Sequence, residues 1–236
     1  MGVIPLARMP QAEAARARAL FFDIDDTLTT HGLLTLAAYR ALWLAREAGL
    51  HLVAVTGRPA GWCDHIARSW PVAGVVGENG ALAMWHDGAK LHRLDVLAPV
   101  ARLANRKKLN RLGDRILAAV PGCALASDQN YRDYDLAIDF CEDVPALAPA
   151  AVQRIVQMFE KAGATAKVSS IHVNGWFGRY SKVQMARRFA KERLKVALER
   201  CVFVGDSPND QPMFEAFEVS VGVRNVSHFE LATPPR

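Results

Sequence analysis

Short apolar runs alternate with amphipathic stretches at both ends of the chain, and this rhythm limits the fold more than any other feature. ALFFDI, HLVAVTG and VAGVVGEN are compact, β-branched or aromatic, and lack the polar alternation of a half-exposed strand. Between the first two lies GLLTLAAYRALWLAREAGL, with Leu34, Ala37, Ala41, Leu44 and Ala48 at helical spacing and Gly49 as a stop. Between the second and third, Trp62, Ile66 and Trp70 mark a short helix opened by Pro59. After Tyr180 the pattern resumes. SKVQMARRFAKERL reads as an amphipathic helix, CVFVGD as a buried strand, SPNDQPMFEAF as a helix with Ser207 as cap, and VSVGV as a last strand. Strand–helix alternation implies right-handed crossovers and a parallel sheet with helices on both faces.

The middle of the chain breaks the rhythm. ALAMWHDGAKLHRL has the form of a hairpin turning at Asp87–Gly88. A helix is expected over 99–120 and another over 148–162, with strands near 136–140, 166–170 and 171–176. The reading is therefore an α/β, Rossmann-like core made of residues 1–82 and 179–236, with an α+β cap inserted at 83–178. At 236 residues, 51% of them hydrophobic, the chain can bury a core of that size. No apolar run has the length of a membrane span, and the Ala/Arg-rich start MGVIPLARMPQAEAARARAL lacks a secretory apolar core, so it reads as a frayed arm. Cys63, Cys123, Cys141 and Cys201 are widely separated, which suits reduced cysteines of a cytoplasmic protein and not a zinc site.

FFDIDDTLTT then poses a problem, because it sets Asp23, Asp25 and Asp26 behind a buried strand. An unpaired carboxylate there is costly. In an open parallel sheet, ligands gather at the carboxyl ends of the strands. Asp23, Thr56 and Asp206 each fall at such an end, and Asp25 is two residues beyond Asp23. Taken singly, Thr56 could shape a turn, Lys182 could be a solvated lysine, and Asp210 could complete a capping box with Ser207. Their convergence on one sheet edge asks for a common explanation.

These residues resemble the motifs of the haloacid dehalogenase superfamily. D-x-D-x-T is present as Asp23–Thr27, the strand-end Thr as Thr56, the helix-start Lys as Lys182, and G-D-x-x-x-D as Gly205–Asp210. An insert between the second and third motifs, with GENGA at Gly77–Ala81 and GDSPND at 205–210, resembles the Cof-type, sucrose-phosphatase-like branch. The resemblance implies a phosphoric monoester hydrolase. Asp23 would be the nucleophile and Asp25 the general acid and base, with Thr56 and Lys182 completing the catalytic set. Mg2+ would be the cofactor, held by Asp23, the backbone carbonyl of Asp25, and Asp206, with Asp210 steadying that shell. Thr56, Gly57, Arg58, Lys182 and Asn209 would meet phosphate or substrate. Asp26 stands where the branch usually has Gly, and its side chain is open to pairing with an Arg, to capping the turn or, less readily, to adding to the metal's surroundings. Arg58 is equally open to an acidic neighbour or the phosphate.

In the insert, Ser170, His172 and Asn174 alternate along one strand face. They are candidate contacts to a hydroxylated leaving group, the rival reading being a solvent-facing strand. A cap hinged near Gly80 and Gly178 would close over the phosphate. The expected partner is a small phosphorylated metabolite, sugar phosphates first, with no nucleic acid and no membrane. The same core and cap also serve phosphohexomutases, which is the alternative. A net charge of +5 leaves nucleic-acid binding as a weaker one, although NRKKLNR from Asn105 carries no interleaved aromatics and reads as a solvated helix face.

Overall fold

A computed structural model describes residues 4–169 and 171–235. Along the chain run α1 (Gln11–Arg16), β1 (Ala19–Phe22), α2 (Leu36–Glu47), β2 (His51–Val55), α3 (Ala60–Ser69), β3 (Gly74–Gly77), β4 (Leu82–His86) and β5 (Leu91–Asp95). Then come α4 (Pro99–Ala119), β6 (Ala124–Leu125), β7 (Leu136–Asp139), α5 (Pro149–Lys161), β8 (Thr165–Val168) and β9 (His172–Trp176). The chain finishes with α6 (Lys182–Phe189), β10 (Cys201–Gly205), α7 (Gln211–Ala216) and β11 (Val219–Gly222). Two compact units result. One comprises Met1–Arg58, Cys63–Leu94 and Tyr180–Arg236; the other comprises Pro59–Trp62 and Asp95–Arg179. Among the described residues no helix is long and apolar enough to cross a membrane.

The first unit is built on a seven-stranded sheet in the order β11-β10-β1-β2-β3-β4-β5. The ladders from β11 to β3 are parallel, and β4 joins β3 antiparallel. β1 lies at the switch point: the chain winds one way to β2 and the other way to β10. Phe21, Val53, Phe203, Phe214 and Phe217 are fully buried, and Phe21 packs on Phe217 with ring centroids 5.4 Å apart. The aromatic content of ALFF and CVFV thus anchors the strand pair that carries Asp23 and Asp206.

Several expectations need amendment. The hairpin expected to open the insert turns at Asp87, whose Oδ1 accepts from the amides of Ala89 and Lys90, but its strands extend the large sheet. Residues 83–94 thus join the first unit, because β4 continues the β3 ladder through Val75↔Met84. In α2 the one buried residue is Leu42, while Leu44 is 54% exposed. This alanine-rich helix offers apolar residues on more than one face, so spacing marks the helix without choosing which side is buried. The N-terminal arm holds the short helix α1, with no buried residue. α6 stops as an α-helix at Phe189 and continues as one π turn, Ala190–Leu194, ended by Lys195 at φ 57°. Ser207 makes no side-chain cap: a 3-10 turn, Pro208–Asp210, precedes α7.

The second unit has its own four-stranded antiparallel sheet, β6-β7-β9-β8, with α4 and α5. Leu109, Ile116, Ile138, Ile155, Phe159 and Val173 are fully buried in its core. Gly175 is required there, since a side chain at that position would collide with the Phe159 ring.

Candidate active site

The parallel registers bring the site together. Phe22 pairs with Val204 on one side and with Ala54 on the other. Asp23, Thr56 and Asp206 consequently leave three adjacent strands at nearly one level. The Asp23 amide donates to the Val204 carbonyl (2.9 Å), and the Thr56 amide donates to Val76 (2.8 Å), so each residue is fixed by a backbone bond as its strand ends.

Lys182, the first residue of α6, reaches this edge from a fourth element. Its Nζ donates to Asp23 Oδ1 at 2.7 Å and to Asp210 Oδ1 at 3.1 Å. Ser181 caps the same helix by accepting from the Gln184 amide. Asp210 also accepts from the Asp206 amide through its other oxygen, at 3.2 Å. It therefore braces the site and does not form a capping box. Carboxylate oxygens of Asp23, Asp206 and Asp210 all lie within 4.8 Å of one another, and all three residues are buried.

Such crowding has an electrostatic signature. Burial pushes Asp23 well above the usual carboxylate range; Lys182 opposes this and Asp210 adds to it. Burial pushes Asp206 up to about 6, reinforced by Asp210 and Asp26 and opposed by the Thr27 hydroxyl and Lys182. For Lys182, burial alone would favour the neutral amine, but Asp210 and Asp23 outweigh it and hold the ammonium firmly charged. One lysine thus faces three carboxylates. A hard divalent cation suits this all-oxygen donor set and would relieve the remaining repulsion.

Around that centre, Arg58 Nη2 and Nε bind the two oxygens of Asp25 (2.7–3.1 Å), the acidic neighbour that was one of the two expectations for Arg58. Thr56 is fully buried. Its Oγ1 accepts from the Arg58 amide at 3.0 Å and retains its own hydrogen for an acceptor. A Cβ at Gly57 would press on the Asn79 side chain at 3.3 Å. Asn209 is exposed on the 3-10 turn beside Asp210. Asp26 adopts a left-handed φ of 57°, which explains why a Gly is at home at this position; Asp tolerates it better than most residues. Among the described residues its side chain neither pairs with an Arg nor caps the turn.

One participant lacked any signal in the sequence reading. Asn225, in the turn Arg224–His228 after β11, donates through Nδ2 to Asp206 Oδ2 (3.2 Å) and to the Asp26 carbonyl (3.0 Å). Its partners are 19 and 199 residues away, and no local pattern marks it.

In the second unit, His172 and Asn174 are buried, against the alternative of a solvated strand face. His172 Nε2 lies 2.8 Å from Glu142 Oε2, and Asn174 donates to Asp135 Oδ2 at 3.1 Å. Asp135 is also gripped by Arg132. Ser170 lies outside the described residues. Within NRKKLNR, Arg106 is spent on the carbonyls of Asp135 and Arg132, whereas Lys107, Lys108 and Arg111 are exposed.

Comparison with known proteins bears on this site. The sequence model of a family described as haloacid dehalogenase-like hydrolase matches residues 20–97 and 147–229. No curated protein matches the chain. Among solved structures, a Thermoplasma acidophilum protein is similar at TM-score 0.72 and 17% identity, over 90% of this chain and 88% of that one. A phosphatase of the haloalkanoate enzyme superfamily from Bacteroides thetaiotaomicron is similar at 0.60 and 20%, over 95% and 88%. A subclass IIB sugar phosphatase of the same superfamily is similar at 0.61 and 15%, over 90% and 91%. At these identities the structural likeness speaks for the fold.

Proposed function

The chain belongs to the haloacid dehalogenase-like hydrolases, and from that premise we propose that it is a magnesium-dependent phosphatase of a small phosphorylated metabolite, with sugar phosphates the first candidates. The observation that carries this reading is the meeting of Asp23, Asp206 and Asp210 within 4.8 Å, with Lys182 Nζ between two of them. A phosphate monoester is an anion and would be repelled by a bare carboxylate. Asp23, the Asp25 carbonyl and Asp206 would hold Mg2+, which would supply the positive charge that offsets this repulsion.

In the first step an Asp23 carboxylate oxygen attacks phosphorus, the ester P–O bond breaks, and Asp25 gives its proton to the departing oxygen. In the second, Asp25 takes a proton from water as that water attacks the aspartyl-phosphate, freeing inorganic phosphate and regenerating Asp23. Thr56, the backbone near Gly57 and Lys182 hold phosphate oxygens, with the N-terminus of α6 adding its favourable field. Asp210 fixes Lys182 and the Asp206 backbone. The Cof-type branch and the sugar-phosphate class rest on the placement of the insert and on the likeness to a sugar phosphatase fold.

A phosphate-release screen over a broad metabolite panel with Mg2+ tests this. Release that disappears in Asp23→Asn and in excess chelator is expected, with at least a ~10³-fold loss in the variant. Isomer formation without phosphate release would reassign the chain to the mutases. No turnover of any monoester would overturn the reading.

A further inference from the structure

We propose that Asn225 is a positioning residue for the divalent cation, acting through Asp206; this rests on the metal site of the proposed function. Asp206 follows β10 directly and is buried, so its carboxylate must find polar partners. Two donors fix it. The Thr27 hydroxyl donates to Oδ1 at 3.2 Å from one side, and Asn225 Nδ2 donates to Oδ2 at 3.2 Å from the other. Each donor occupies one lone-pair direction of one oxygen. The carboxylate plane is set, and each oxygen keeps a further lone pair for a cation; one Asp23 carboxylate oxygen lies within 4.8 Å of one from Asp206. Hydrogen bonds of this kind orient ligands, and losing one typically weakens metal binding about 10–100-fold.

The second hydrogen of the same amide goes to the Asp26 carbonyl at 3.0 Å. Asp26 is the left-handed residue of the Asp23–Thr27 loop, so its carbonyl points where the loop, not a helix or strand, dictates. Asn225 therefore ties the loop that follows β1 to the loop that follows β10. These two loops carry Asp23, Asp25 and Asp206, the three proposed ligands. A bland alternative exists, in which Asn225 only satisfies a loop carbonyl and supports the fold. The two roles differ in what they move: a positioning role changes metal affinity, and a supporting role changes the stability of the metal-free protein.

The test uses the full chain, stripped of metal, with Mn2+ binding followed by electron paramagnetic resonance and Mg2+ binding by the rise in Tm. Wild type is expected to bind both. Asn225→Ala is expected to raise the Kd for Mn2+ about 10–100-fold, with the metal-free Tm nearly unchanged. Arg224→Ala, an exposed neighbour on the same turn, serves as control and should leave Kd unchanged. Wild-type affinity in Asn225→Ala, or a lowered metal-free Tm with unchanged Kd, overturns the proposal. If Asn225→Ala does not fold, Asn225→Leu, similar in volume and without donors, is read the same way. Failure of wild type to bind either ion defeats the proposal together with its metal site. Binding by wild type without turnover of any phosphoester defeats the phosphatase reading and leaves the assignment of Asn225 standing.

Discussion

Arg58 grips Asp25 at both carboxylate oxygens, with Nη2 2.7 Å from Oδ1 and Nε 3.1 Å from each. The two residues sit 33 positions apart, one just past β1 and the other just past β2. With the Asp25 side chain 40% exposed, the pair contributes only about 0–1 kcal/mol to stability, and the role proposed for it is to orient Asp25.

Arg58→Ala should therefore leave Tm within a few degrees of wild type while lowering kcat. The loss should depend on the leaving group. About 10²-fold is expected for an alkyl phosphate, which needs a proton from Asp25, and much less for p-nitrophenyl phosphate, which does not. Arg58→Lys should rescue poorly, because an ammonium cannot span both oxygens as the planar guanidinium does. Equal losses on both esters would assign Arg58 to holding phosphate.

The raised Asp206 makes a pH-dependent prediction. A carboxyl whose folded value lies above its unfolded value stabilises the fold fully below the unfolded value of 3.8 and loses that contribution as pH rises through about 6. Burial raises Asp23 in the same sense. In chelator, wild type should thus lose Tm relative to Asp206→Asn between roughly pH 4 and pH 7. Mg2+ should restore wild type near neutrality and do little at the acid end, where protons compete for the same oxygens. A parallel pH dependence of the two proteins would refute this account.

Gly80 couples the GENGA segment to Lys182. Its φ is +99°, and a Cβ there would collide with the Ser181 carbonyl and the Lys182 amide, both backbone groups that cannot rotate away. Gly80→Ala should cost more than about 2 kcal/mol, a fall in Tm of roughly 4–8 °C. It should also lower kcat of the folded enzyme by displacing the start of α6. Unchanged Tm and activity would show that the Gly80 backbone conformation is not needed.

Local sequence patterns alone reported most of the elements and their order; the short helix α1 and the two-residue strand β6 left no such pattern. Short apolar runs such as ALFF, HLVAV and CVFVG carry their strand character locally, and all three form strands of one sheet at nearly the expected boundaries. The sequence also determined that Asp23, Thr56 and Asp206 lie at strand ends, because a motif next to an apolar run reports its own place on the element. Tertiary structure decided what depends on registers and on contacts between distant segments. The hairpin 82–95 looked like the start of an insert until its ladder with β3 placed it in the large sheet. Helical spacing identified α2 but not its buried side, since alanines permit either face to pack. Lys182 sits 159 residues from Asp23, and Asn225 sits 199 residues from Asp26. Hydrogen bonds over such separations leave no periodicity in the chain; they exist only once parallel strands have set three loops side by side.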